Sequence, residues 1–83
     1  MPQTHNIDIT AMSFPDDTPV AAGDTVVWTN KMGMAHTVTA DDGAFDSGRL
    51  TKDKSFSYVF AAAGQVAYHC DIHPSMTGTI TVG

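Results

Sequence analysis

The chain predicts an all-β sandwich, and three features carry that expectation. Helical periodicity is missing: no window longer than about ten residues repeats apolar positions at i, i+3, i+4 and i+7 without a Gly or Pro interruption. Short alternating or β-branched runs stand in its place. Turn residues separate these runs about every 8–12 positions, the spacing of sandwich strands.

Taken in order, His5 to Thr10 alternates, with Ile7 and Ile9 facing one way. Ser13 to Pro19 reads as a loop, because its two prolines, Pro15 and Pro19, block regular pairing. Val20-Ala21-Ala22 leads into a Gly23-Asp24 turn and the strand Thr25 to Thr29, which holds Val26, Val27 and Trp28. Asn30 to Ala35 is a loop, and His36 to Ala40 reads as a further strand. Asp41 to Gly48 is polar, with Phe45 as its anchor. Lys54 to Phe60 puts Phe56, Tyr58 and Phe60 on one face and Ser55, Ser57 and Val59 on the other. Ala61 to Gly64 turns a corner, Gln65 to Cys70 is another strand, and Thr77 to Val82 alternates with Ile80 and Val82 inward.

Eighty-three residues suffice for one core, so residues 1–83 are read as a single domain. A domain of this size buries only ~60% of its unfolded surface and gains from any ligand that binds the folded form alone. Apolar residues make up 42% of the chain and charged residues 16%, a globular composition. Four Lys/Arg against nine Asp/Glu give a net charge of −5, with no basic cluster of the kind nucleic acids require. An acidic carrier favours partners with positive patches. No apolar run approaches the ~18 residues of a membrane span. Met1-Pro2-Gln3-Thr4 lacks the basic start and apolar stretch of a leader, so the expectation is an intracellular protein or a mature domain carrying an added Met1.

Cys70 is the only cysteine and cannot form an internal disulfide. It is a buried filler, a reactive thiol or a metal ligand, and its surroundings decide among these. Tyr68 to Met76 sets a thiolate, an imidazole and a thioether at C-x2-H-x2-M just after a strand, and a second imidazole, His36, opens an earlier strand. Donors so close in sequence can converge on one ion. A lone Cys is more often filler, but Cys70, His73 and Met76 at this spacing, together with His36, point to a metal centre. Two His and one Cys with a long axial Met is the ligand set of blue-copper sites. Thiolate and thioether suit Cu(I) and imidazole suits Cu(II), whereas structural zinc sites take Cys and His and have little use for Met.

With these residues in view, the chain resembles a cupredoxin, and within that family the amicyanins and plastocyanins. The matching elements are Gly23 to Asn30, Met34 to Val38, Phe45 to Gly48 and Tyr68 to Met76. The short C-x2-H-x2-M loop is the amicyanin spacing. The resemblance covers roughly residues 5 to 83. It implies a Greek-key β-sandwich holding one type 1 copper ion on His36, Cys70, His73 and Met76. It also implies single-electron transfer between larger redox proteins, a monomer, a periplasmic or other extracytoplasmic location, and His73 as the solvent-side edge for electrons. Where the family commonly has Asn after the first His, this chain has Thr37, whose hydroxyl offers one donor instead of two, so a looser link between the metal loops is expected. Pro74 has no N–H, leaving the Thr37 amide as the expected donor to the Cys70 sulfur.

Other residues are read more plainly. His69 matches a position that binds a second copper in nitrite reductases, yet an outer contact or the surface is the simpler reading. His5 is expected to be exposed. Met12, Met32 and Met34 are either core filler or, with Pro74, an apolar patch around His73. Asp41, Asp42 and Asp46 make a solvated turn. No Ser/His/Asp set, phosphate loop or carboxylate pair stands out, so an enzyme is not expected. Two alternatives remain open: a copper-delivery protein, in which the metal is cargo, and a domain of a multicopper enzyme.

Overall fold

A computed structural model describes residues 1–83, in which seven strands form two stacked sheets. The strands are β1 (Thr4–Ile9), β2 (Thr18–Val20), β3 (Asp24–Asn30), β4 (Thr39–Ala40), β5 (Ser55–Phe60), β6 (Gly64–His69) and β7 (Thr77–Val82). One sheet has the order β1-β3-β5 and the other β2-β7-β6-β4. Every connection except that between β6 and β7 crosses from one sheet to the other, which makes the parallel pairs β1/β3 and β2/β7. The all-β sandwich expected from the periodicity is present, with Greek-key-like winding.

Alternation explains which faces are buried. In β3, Asp24, Val26, Trp28 and Asn30 point inward, and in β7 Gly78, Ile80 and Val82 do so. Phe60 is buried and Phe56 and Tyr58 partly so, while Val59 faces solvent, as the pattern of β5 requires. Trp28 of one sheet meets Tyr68 of the other edge-on at 5.3 Å, and the Phe45 and Phe56 rings lie 6.0 Å from it. Burial pushes the Tyr68 phenol up to about 12, and the neighbouring Trp28 indole N–H opposes the rise. Gly78 lies opposite Tyr68 in register. A Cβ there would sit 2.7 Å from the phenol Cζ and Oη and 2.9 Å from the Pro15 carbonyl oxygen, so only Gly lets the ring lie against β7.

Three expectations are corrected. Ser13 to Pro19 is not wholly loop: Thr18-Pro19-Val20 pairs in parallel with Ile80-Thr81-Val82. Pairing is possible because β2 is an edge strand, where the missing proline N–H falls outside the ladder. His36 to Ala40 is a strand only at Thr39–Ala40, preceded by an isolated bridge between His36 and Leu50. The intervening amides are engaged elsewhere: Thr37 N–H donates to the Cys70 sulfur and Val38 N–H to Ser47 Oγ. His5 is half-buried rather than exposed, its Nε2 lying 2.8 Å from Asp24 Oδ2. The Asp24 carboxylate also accepts the Gln3 and Ala21 N–H groups at 2.9 and 3.0 Å, and these contacts, Gln3 first, hold its pKa down to about 2.

Candidate metal centre

At the opposite end of the strands from Asp24, two connections meet. The β3–β4 connection carries His36, and the β6–β7 connection carries Cys70, His73 and Met76. Asn30, the last residue of β3 and fully buried, shapes the first of them. Its side-chain amide donates to the Met34 and Leu50 carbonyls at 2.7 and 2.8 Å, and its Oδ1 accepts the Met32 N–H at 2.8 Å. The His36–Leu50 bridge, with N···O distances of 3.1 and 2.7 Å, then fixes His36 itself. The second connection is closed by its own backbone: Cys70 N–H donates to the Met76 carbonyl at 3.1 Å and Met76 N–H to that of His73 at 2.9 Å.

The result is a convergence of donor atoms. Cys70 Sγ lies 3.9 Å from His36 Nδ1 and 3.8 Å from His73 Nδ1, and the ligand atoms of the three residues are all within 4.8 Å of one another. An ion ~2.0–2.1 Å from nitrogen and ~2.3 Å from sulfur spans up to about 4.4 Å between them, so the spacing fits one transition metal. His36 and Cys70 are completely buried, and His73 is half-buried, giving the centre one solvent-facing edge. Burial, followed by the nearby His73, holds the His36 imidazole below its ordinary pKa, which favours the neutral form that ligates metals. Met76 is fully buried, with its backbone tied to both Cys70 and His73.

Around the centre, the Thr37 amide lies 3.4 Å from Cys70 Sγ, the donor expected once Pro74 is ruled out. The link between the loops does not disappear with Thr37. Its Oγ1 accepts the Asp71 N–H at 2.8 Å and meets Thr39 Oγ1 at 3.0 Å. His69 lies outside the cluster. Its Nδ1 and Nε2 are 2.6 and 2.8 Å from Asp41 and Asp71 carboxylates, which raise its pKa, Asp41 foremost. With both nitrogens so engaged, His69 has no free donor for a second ion. Asp42 and Asp46 accept backbone N–H groups of Ala44 and Gly48, so the acidic stretch is a self-capped turn. Met12 and Met34 are exposed, but Met32 packs against His36. Two residues of the site are not expected there from the sequence: Asn30, read as the start of a loop, and Met32, read as core filler or part of an apolar patch. A buried-face Asn ending an alternating strand was the available signal for the first.

Two stacked sheets with a buried Cys between two imidazoles, on loops at one end, make the arrangement of the cupredoxin class. The profile of the copper-binding proteins of the plastocyanin/azurin family matches residues 3–83, and the chain belongs to that family. It is 34% identical over 84 residues to amicyanin of Paracoccus denitrificans, covering 92% of this chain and 63% of that protein. It is 33% identical over 82 residues to a chloroplastic plastocyanin of Physcomitrium patens, covering 83% of this chain and 49% of the relative. The chain thus spans about half to two thirds of the length of these relatives. Among solved structures, a Cu(I) form of an amicyanin variant superposes with a TM-score of 0.89 at 30% identity, covering 96% of this chain and 82% of that one.

Proposed function

We propose that His36, Cys70, His73 and Met76 hold one copper ion and that the chain carries single electrons between larger redox proteins. The observation that carries this reading is the convergence of His36 Nδ1 and His73 Nδ1 on the Cys70 sulfur at 3.9 and 3.8 Å. Copper supplies the one-electron couple, cycling between Cu(I) and Cu(II). The protein supplies a mixed donor set that tolerates both states, soft sulfur for Cu(I) and imidazole for Cu(II). It also supplies rigidity. Three of the four donors lie on one backbone-stitched loop, and the fourth is tied to it through Thr37. Donors held in place rearrange little when charge arrives or leaves.

His73 is the edge through which electrons pass, since it alone of the four is not fully buried. The net charge of −5 steers the carrier to partners with positive docking surfaces. We place the working protein outside the cytoplasm as a monomeric carrier rather than an enzyme. Copper retention tests the reading: the loaded protein should keep its copper through many cycles of oxidation and reduction beside a metal-free chelating protein. Rapid transfer to that competitor would make the metal a cargo and the chain a delivery protein.

A further inference from the structure

An imidazole that binds a metal through one nitrogen almost always gives its other N–H to a carboxylate, a carbonyl or water. His36 departs from this rule. Its Nδ1 faces Cys70, and its Nε2 lies 3.3 Å from the thioether sulfur of Met32, four residues earlier. A thioether has no proton to offer and is a weak acceptor. The contact is therefore a hydrogen bond only when the His36 proton resides on Nε2. That tautomer leaves the Nδ1 lone pair directed at the metal centre.

The placement of Met32 is built into the fold. Its backbone N–H is held at 2.8 Å by the buried Asn30, which also grips the Met34 and Leu50 carbonyls on either side of the loop. Leu50 is in turn the bridge partner of His36. Asn30 thus sets both ends of the Met32–His36 pair. Unlike the exposed Met12 and Met34, Met32 is half-buried and packed against the core.

We propose that Met32 is a positioning residue of the metal centre. Its thioether selects the Nε2–H tautomer of His36 and, as a weak acceptor, leaves the imidazole a poorer electron donor than an oxygen partner would. This rests on the copper-carrier reading above. Oxygen acceptors raise the basicity of a ligating imidazole and so favour the oxidised metal. The sulfur partner accordingly shifts the couple toward Cu(I).

The test uses Met32→Gln, which offers an amide oxygen, and Met32→Leu, which keeps the shape and removes the acceptor. Nitrogen-15 NMR of the metal-free protein reads the His36 tautomer without copper, and voltammetry of the loaded protein reads the couple. The wild type should show the Nε2–H tautomer. Its Nε2 proton should exchange about tenfold faster with solvent in Met32→Leu. Met32→Gln should move the redox equilibrium about tenfold toward Cu(II), which is about 59 mV for one electron. An Nδ1–H tautomer in the wild type, or a couple unchanged within about twofold in Met32→Gln, would overturn the proposal. Should Met32→Leu fail to fold, the wild-type tautomer and Met32→Gln still decide it. Loss of the carrier reading itself would show separately, as a wild-type protein without the thiolate–copper band.

Discussion

The Thr37 amide points at the Cys70 sulfur from 3.4 Å away, although the two residues are 33 positions apart in the chain. This contact and the Thr37 hydroxyl, which accepts the Asp71 N–H at 2.8 Å, bind the two ligand loops into one unit. A single residue thereby touches the Cys70 sulfur with its backbone and braces the loop that carries it with its side chain.

Replacing the hydroxyl while keeping the shape separates these roles. Thr37→Val leaves the partly buried Asp71 N–H without a partner and should cost about 1–2 kcal/mol of stability. The amide contact to sulfur persists, so the variant should still bind copper but release it faster. Chemical denaturation and copper release to a chelator measure the two effects. An unfolding midpoint identical to wild type would show that the hydroxyl link bears no load.

Gly78 lies where Tyr68 leaves no room. The Cβ of Gly78→Ala would fall 2.7 Å from the Tyr68 phenol and 2.9 Å from the Pro15 carbonyl oxygen. Because Tyr68 is fully buried against Trp28, the strain cannot be relieved by a side chain swinging out. Overpacking of this kind costs about 1–3 kcal/mol, read as a lower thermal midpoint. A variant as stable as wild type would mean that β7 and the Pro15 segment yield easily.

At the far end of the sandwich, Asp24 makes stability depend on acid. Its folded pKa of about 2 lies below the ordinary 3.8, mainly through the Gln3 N–H, then His5 and the Ala21 N–H. The folded state therefore binds this proton less readily than the unfolded one. The contribution is complete above the unfolded value and is lost as pH falls from there through about 2. Unfolding of metal-free protein, followed between pH 5 and 2, should show a steeper acid loss in wild type than in Asp24→Asn. Equal slopes would remove Asp24 from the acid-sensitive set.

Much of this could be read from residue order alone. Alternation in Lys54 to Phe60 and Thr77 to Val82, and the β-branched run in Thr25 to Thr29, mark strands, each with one buried face. Cys70, His73 and Met76 were legible as a loop of donors because their spacing is local. What was not legible depends on partners distant in sequence. The strand expected at His36 stops short because the Thr37 and Val38 amides go to Cys70 and Ser47. Pro19 sits in a strand because β7 happens to leave an edge beside it. His5 looked solvent-facing until Asp24 was placed next to it. Met32 reads as filler in a line of letters, and only the folded loop brings its sulfur to His36.

The central claim is that Cys70 is a thiolate ligand in a type 1 copper centre. Visible absorption and EPR spectra after one equivalent of Cu(II), recorded alongside Cys70→Ala, test it most directly. A type 1 centre should give an intense blue thiolate-to-copper band with narrow copper hyperfine splitting, absent from the variant. A pale, ordinary Cu(II) spectrum that Cys70→Ala leaves unchanged would contradict it.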